Sequence, residues 1–248
     1  MADLPILLLT RPRAQACRFA DGLTGCLADL PRVIAPLMEI VPRPLMLDPM
    51  PYATFIFTSE NGVDGFVAQS PLRDRTAWCV GPRTAAAAAA AGFAVRSAEA
   101  AGGTAEALIA SLRAARPATP MLHLRGAHAV TALAARLTAE GLACDEAVVY
   151  AQSEVPPGAE ALAVLSGLRP VLLPLFSPRS ARLAARAAQL AGAQGCGAAV
   201  HVVAISDAAA ERWRALRPDG RAQVTVAPRP DAAGMVEALR GACRRLSA

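Results

Sequence analysis

The sequence predicts an α/β protein of two similar lobes, each a parallel β-sheet flanked by helices, and three observations carry that expectation. First, apolar runs with β-branched or aromatic residues end in small polar clusters and give way to Ala/Leu/Arg-rich helical patterns, the alternation that builds parallel sheets with crossover helices. Four such strand-to-helix units fill residues 53–142, led by FTSENGV at 57–63, CVGPRTA at 79–85, GGTAEAL at 102–108 and LHLRG at 122–126. Second, three of them recur downstream: LFSPRSA places Ser177 where the first has Ser59, AISDAAA places Ser206 for Gly81, and GMVEAL places Gly234 for Gly103. Third, the missing fourth echo lies at the N-terminus, where LLLTRP at 7–12 matches LHLRG. The repeat is therefore circularly permuted, and the first strand and helix complete the lobe built from the C-terminal part.

Along the chain, the first strand breaks at Thr10 and Pro12. The segment PRVIAPLMEIVP at 31–42, β-prone and flanked by proline, then crosses to the second lobe. TFIFTS followed by ENGVDGFVAQ reads as strand and helix, and Gly81 with Pro82 marks the next strand-to-helix turn. DEAVVYAQSEVPP at 145–157 is the return crossing. Because the chain leaves once and returns once, the two crossings are expected to pair as a two-stranded antiparallel linker, a hinge on which lobes can close. The domain expectation is 1–35 with 154–248 for one lobe, 43–145 for the inserted one, and 36–42 with 146–153 for the hinge. Ser177 before Pro178 reads as an N-cap with proline at the first helical position. Residues 187–206 are long enough to span a membrane, but they carry Gln189, Gln194, His201 and three glycines, so they read as helix, loop and strand.

Composition narrows the function classes. With 248 residues and 54% hydrophobic content the chain can supply two cores. The 25 basic residues are all arginine, which removes Schiff-base and pyridoxal-phosphate lysines and a P-loop lysine together. A net charge of +5 with 4% aromatics does not suit nucleic-acid stacking and leaves an acidic small molecule as a candidate ligand. Cys17, Cys26, Cys79, Cys144, Cys196 and Cys243 form no CxxC pair, and MADLPILLL lacks the positive start of a signal peptide, so a reduced, cytoplasmic protein is expected. His123, His128 and His201 lack the spacing of a metal triad and are assigned core or surface positions.

The strand-to-helix turns all fall at carboxyl edges of sheets, where open α/β proteins bind ligands and helix N-termini favour anions. Six hydroxyls mark such turns: Thr10, Ser59, Thr84, Thr104, Ser177 and Ser206. One alone would be an ordinary helix cap, worth about 1 kcal/mol. Six in two related lobes point to a polar, anion-binding cleft. Arg11, Arg125 and Arg179 stand beside these turns and suit carboxylates. Tyr150 ends the return crossing, where its phenol either reaches the cleft or packs at an interface.

The ordered set LLLTRP, P-L-x-E-I-x-P at 36–42, FTSENGV, VGPRTAAAAAAAGF, GGTAEAL, LHLRG, VVY and LFSPRSA resembles uroporphyrinogen-III synthases over nearly the whole chain. The resemblance implies a bilobed protein with its active site between the lobes and no metal or organic cofactor; a monomer is expected. It implies cyclisation of hydroxymethylbilane, a linear tetrapyrrole with acetate and propionate arms, to uroporphyrinogen III with inversion of the last ring. It also admits transient contact with the preceding deaminase. Carried over by motif, Tyr150 assists departure of the substrate hydroxyl. Ser59, Asn61, Gly81, Thr84, Gly103, Thr104, Gly126, Ser177 and Ser180 bind carboxylates, with Thr10, Arg11, Arg125 and Ser206 as helpers. One departure is visible: where the second-lobe pattern G-x-x-T belongs, this chain has Ser206, Asp207, Ala208 and Ala209. A dinucleotide-binding glycine fingerprint and a GxSxG hydrolase elbow are both missing. A non-catalytic hinge protein that clamps an anionic ligand is the alternative.

Overall fold

The computed structural model describes residues 4–98, 103–128, 132–192, 197–217 and 222–247. The chain divides into two compact units, Met1–Glu39 with Glu154–Ala248, and Ile40–Ser153. Eleven strands are present among the described residues: β1 (Ile6–Leu9), β2 (Arg32–Ile34), β3 (Met38–Pro42), β4 (Thr54–Phe57), β5 (Thr76–Cys79), β6 (Ala94–Ser97), β7 (Met121–Gly126), β8 (Cys144–Glu154), β9 (Val171–Leu175), β10 (Val200–Ala204) and β11 (Gln223–Val226). The first unit holds a five-stranded sheet in the order β11-β10-β9-β1-β2, parallel throughout. The second holds a six-stranded sheet in the order β3-β8-β7-β4-β5-β6, parallel from β8 to β6.

These two orders are the permuted repeat in three dimensions. The motif echoes equate β9 with β4, β10 with β5, β11 with β6 and β1 with β7. Substituting them, and β8 for β2, turns the first order into β6-β5-β4-β7-β8, the second sheet without its edge strand. That edge strand, β3, lies beside β8. Arg43 N donates to Val149 O at 2.9 Å and Val155 N to Leu37 O at 3.0 Å, so residue numbers rise along one segment as they fall along the other, the mark of an antiparallel ladder. β8 is longer than a separate crossing needs: it begins as the parallel partner of β7 and continues to Glu154.

Both sheets are covered on both faces, which is why their inner strands read as near-continuous apolar runs. In the first unit, Leu8 joins one core with Leu173, Val202 and Trp213, beneath the helices Ala159–Ser166, Pro178–Gly192 and Asp207–Leu216. Its neighbours Leu7 and Leu9 point to the opposite core with Leu172 and Val203, beneath Arg13–Asp21 and Ala232–Ser247, as the two-residue strand period requires. In the second unit one face gathers Ile56, Trp78 and Met121 under Ala105–Ala115 and Leu133–Ala139. The other gathers Phe55, Phe57, Phe66 and Phe93. Phe55 and Phe66 meet edge-on at 4.8 Å between centroids, a favoured aromatic geometry.

The helix Glu60–Val67 lies close enough to its sheet to need glycine. A Cβ on Gly62 would come within 2.7 Å of Leu124 O, and one on Gly65 within 2.8 Å of Val149 O. This close seating holds the start of the helix, and Ser59 with it, against the ends of β7 and β8. The stretch 187–206 resolves into the end of helix Pro178–Gly192 and strand β10, with residues 193–196 outside the described set. Among the described residues no helix is long and apolar enough to cross a membrane.

Candidate active site

The carboxyl edge of the second sheet contains a pocket of about 270 Å³ lined by residues from four strand ends: Thr58 and Ser59 after β4, Val80 after β5, His123, Arg125 and Gly126 on β7, and Tyr150 on β8, with Ala105, His128 and Leu133 completing it. Tyr150 is its centre. A bulge in the β7–β8 pairing takes the register from Arg125 opposite Val148 directly to Gly126 opposite Tyr150, which turns the tyrosine to face the glycine. A Cβ on Gly126 would sit 2.6 Å from the tyrosine ring, so a larger residue there would displace the phenol. The phenol oxygen is 2.9 Å from Ser59 Oγ. Ser59 also accepts the Gly62 N–H at 3.2 Å as N-cap of its helix. The serine proton is therefore free to be given to the Tyr150 oxygen, which leaves the phenol O–H available as a donor to a ligand.

Charged and titratable groups lie beside this pair, and of these sequence reasoning did not place Glu146. Arg125, expected as a helper in carboxylate binding, has its guanidinium paired with Glu146 and also donates to Gly126 O at 2.9 Å. Hydrogen bonding to Arg125 holds the Glu146 carboxyl below its ordinary value. His123, assigned to core or surface, is 2% exposed and also lines the pocket. Its Nε2 lies 3.1 Å from Thr58 Oγ1. Burial pushes its pKa down to about 4, with Arg125 acting in the same direction and Glu146 opposing, so the ring is neutral at physiological pH. Thr58, His123 and Glu146 were legible only through strand register: Ile56 and Glu146 pair with His123 from either side, an arrangement no local motif encodes.

The remaining expected residues fall into two groups. In the second unit, Thr104 caps the helix Ala105–Ala115, accepting Ala107 N at 3.1 Å, and Gly103 before it has φ 62°, a left-handed conformation suited to glycine. Gly81 is the N-cap of helix Pro82–Ala90, with Pro82 following, and Asn61 is the second residue of helix Glu60–Val67. Thr84 does not mark the turn. It is the third residue of helix Pro82–Ala90 and 5% exposed, because proline takes the first helical position and moves the cap back to Gly81.

Thr10, Arg11, Ser177, Ser180 and Ser206 belong to the first unit. Ser177 and Ser180 form a reciprocal cap: Ser180 N donates to Ser177 Oγ at 3.1 Å and Ser177 N to Ser180 Oγ at 2.9 Å, so both hydroxyls serve the start of helix Pro178–Gly192. Ser206 is an N-cap by position, but its side chain makes no capping bond. Thr10 does not cap either, since the N-cap of helix Arg13–Asp21 is Pro12; the threonine is 2% exposed and its hydroxyl has no hydrogen-bond partner among the described residues. Arg11 lies over the Phe176 ring at 4.1 Å and donates to Gln15 at 3.0 Å.

Two permuted α/β units, one carrying a tyrosine-centred, hydroxyl-lined pocket at the carboxyl edge of its sheet, define a class of small-molecule α/β protein. A sequence profile of the family described as uroporphyrinogen-III synthase HemD matches residues 31–237, most of the chain. The chain belongs to that family, whose members are enzymes of tetrapyrrole synthesis. Among solved structures, uroporphyrinogen-III synthetase from Helicobacter pylori aligns over 97% of this chain and 100% of its own with a TM-score of 0.59 at 17% identity, a likeness of fold. A mutant uroporphyrinogen III synthase from the extremely thermophilic bacterium Thermus thermophilus aligns over 99% of each chain at 14% identity with a TM-score of 0.48. No curated protein sequence matches.

Proposed function

We propose that the protein is a uroporphyrinogen-III synthase in which Tyr150 assists departure of the hydroxyl from hydroxymethylbilane. The observation that carries this reading is the Tyr150 phenol, seated over Gly126 with its oxygen 2.9 Å from Ser59 Oγ, inside a pocket walled by polar side chains. The phenol gives its proton to the leaving hydroxyl, which departs as water, and the electron-rich pyrrole stabilises the resulting positive charge as an azafulvene. The substituted α-carbon of the last pyrrole then attacks the azafulvene carbon to give a spiro arrangement; the bond from that α-carbon to its original bridging methylene breaks, the methylene re-bonds at the ring's free α-carbon, and the proton lost from that carbon returns to the phenolate. The net change is loss of one water, so the reaction class is that of a lyase.

Positioning does most of the work, because the reactive groups are all in the substrate and spontaneous closure gives the I isomer instead. In the second unit, the helix starts at Ser59, Gly81 and Thr104 present backbone N–H groups suited to acetate and propionate carboxylates. The first unit offers corresponding starts at Ser177 and Ser206. The test is to generate hydroxymethylbilane in situ, add the protein, oxidise the products and separate the I and III porphyrin isomers. Isomer III above the no-protein control supports the synthase. Isomer I alone, from folded protein, rejects it and leaves a non-catalytic anion binder.

A further inference from the structure

His123 has one ring nitrogen engaged and one that is not. Nε2 meets Thr58 Oγ1 at 3.1 Å, whereas Nδ1 is buried without a hydrogen-bond partner among the described residues. A neutral imidazole carries one N–H, so two arrangements compete. If Nδ1 held the proton, a buried donor would be left without an acceptor. If Nε2 holds it, only a lone pair goes unmet, and unmatched acceptors are tolerated more often than unmatched donors. The second arrangement makes Nε2–H the donor and Thr58 Oγ1 the acceptor. The threonine proton is then free to point elsewhere, and Thr58 lines the pocket beside Ser59 and Tyr150.

The fold does not require a polar pair at this place. By the motif echo that equates Ser177 with Ser59, Phe176 is the counterpart of Thr58. Leu7 pairs with Leu172 as Met121 pairs with Thr54, which makes Leu9 the counterpart of His123. The first unit thus closes the same position with phenylalanine and leucine, Leu9 wholly buried.

From this geometry we infer that Thr58 is a further substrate-binding residue and that His123 is its positioning residue, donating from below so that the threonine O–H is presented to a substrate carboxylate in the pocket. The inference rests on the synthase reading and names one more contact within it. Nitrogen-15 spectra of the imidazoles in the full chain, with His123→Gln to assign the signal, are expected to show the Nε2–H tautomer for His123; the Nδ1–H tautomer would overturn the inference. In the isomer assay, Thr58→Val is expected to raise the Michaelis constant for hydroxymethylbilane about tenfold, the effect of one hydrogen bond to a charged group, with a smaller change in turnover. Thr58→Ser should restore it. If His123 acts through that hydroxyl, His123→Leu with Thr58→Val together should be no worse than Thr58→Val alone. Wild-type Michaelis constants in Thr58→Val, or multiplying losses in the double variant, would overturn the inference while wild-type protein still makes isomer III. Absence of isomer III from wild-type protein is instead the failure of the synthase reading.

Discussion

Lowering the pH from 7 to 5 should weaken the second unit through one side chain. His123 is held at about 4 instead of 6.5, chiefly by burial. In the unfolded chain the imidazole takes up a proton near 6.5, while in the folded protein it resists until about 4. The unfolded state therefore binds more protons throughout that interval, and stability fully present above 6.5 is lost as the pH falls toward 4. At about 1.36 kcal/mol per tenfold change in proton affinity, the whole interval corresponds to roughly 3.4 kcal/mol, of which about 1.8 kcal/mol falls between pH 7 and 5. Glu146, the carboxylate paired with His123 across the strands, is held below 4.5, so its own loss begins beneath this window. His201, shifted the same way by burial, lies in the first unit and must be kept out of the signal. The chain makes this simple, because its two tryptophans, Trp78 and Trp213, fall one in each unit. In a Trp213→Phe background, urea unfolding followed by Trp78 fluorescence reports the second unit alone. That background is expected to lose about 1.8 kcal/mol through His123 on going to pH 5, and the same background with His123→Gln to lose almost none of it. Equal losses in both would refute the reasoning, because they would show that His123 is no harder to protonate folded than unfolded.

Three other perturbations address the pocket and its surroundings. Tyr150→Phe deletes the hydroxyl bonded to Ser59 and should lower turnover about 100-fold or more, the range of a lost general acid, at a stability cost of about 1 kcal/mol; wild-type turnover in the isomer assay would remove Tyr150 from the chemistry. Gly126→Ala places a methyl 2.6 Å from the tyrosine ring and is expected to destabilise by about 1–3 kcal/mol and to cut activity by displacing the phenol, which thermal unfolding and initial rates would read; unchanged values for both would mean the ring is not seated as described. Ser59→Ala with Thr104→Ala removes two helix caps and should cost about 2 kcal/mol in total while raising the Michaelis constant, and a wild-type constant would place carboxylate binding elsewhere.

The repeat was readable because strand-to-helix turns repeat their chemistry locally: a hydroxyl or glycine, then a helix start, survives as a short string even when the rest of the unit diverges. LFSPRSA and FTSENGV share little beyond Ser177 and Ser59, yet both serines cap helices in the structure. The hydroxyls that misled are instructive for the same reason. Thr10 and Thr84 each stand two residues from a proline, and a proline at or near the first helical position shifts the cap to its own neighbour or itself, so Thr84 is drawn into the helix and Thr10 lies outside it. Arg125 was expected to help bind carboxylates; its pairing with Glu146, remote in sequence, comes about only once β7 and β8 pair in parallel. The floor of the pocket depends on register across three strands, and a single sequence carries no local signal of it.

Register also explains why only one unit is equipped for the chemistry proposed. The positions of Thr58, His123 and Glu146 correspond in the first unit to Phe176, Leu9 and Ile34, since Ile34 pairs with Leu9 as Glu146 pairs with His123. Arg11 and Arg125 occupy matching places after their strands, but their partners differ in kind. Arg125 is tied to a carboxylate, whereas Arg11 rests on the face of Phe176. The bulge and the glycine that admit Tyr150 belong to β7 and β8, and the glycine's counterpart on the first unit's chain is Pro12. The same fold has thus been given a polar, tyrosine-bearing floor in one copy and an apolar floor with an arginine lying over it in the other. On the function proposed, the copy that supplies the proton donor is the one with the polar floor, through Tyr150.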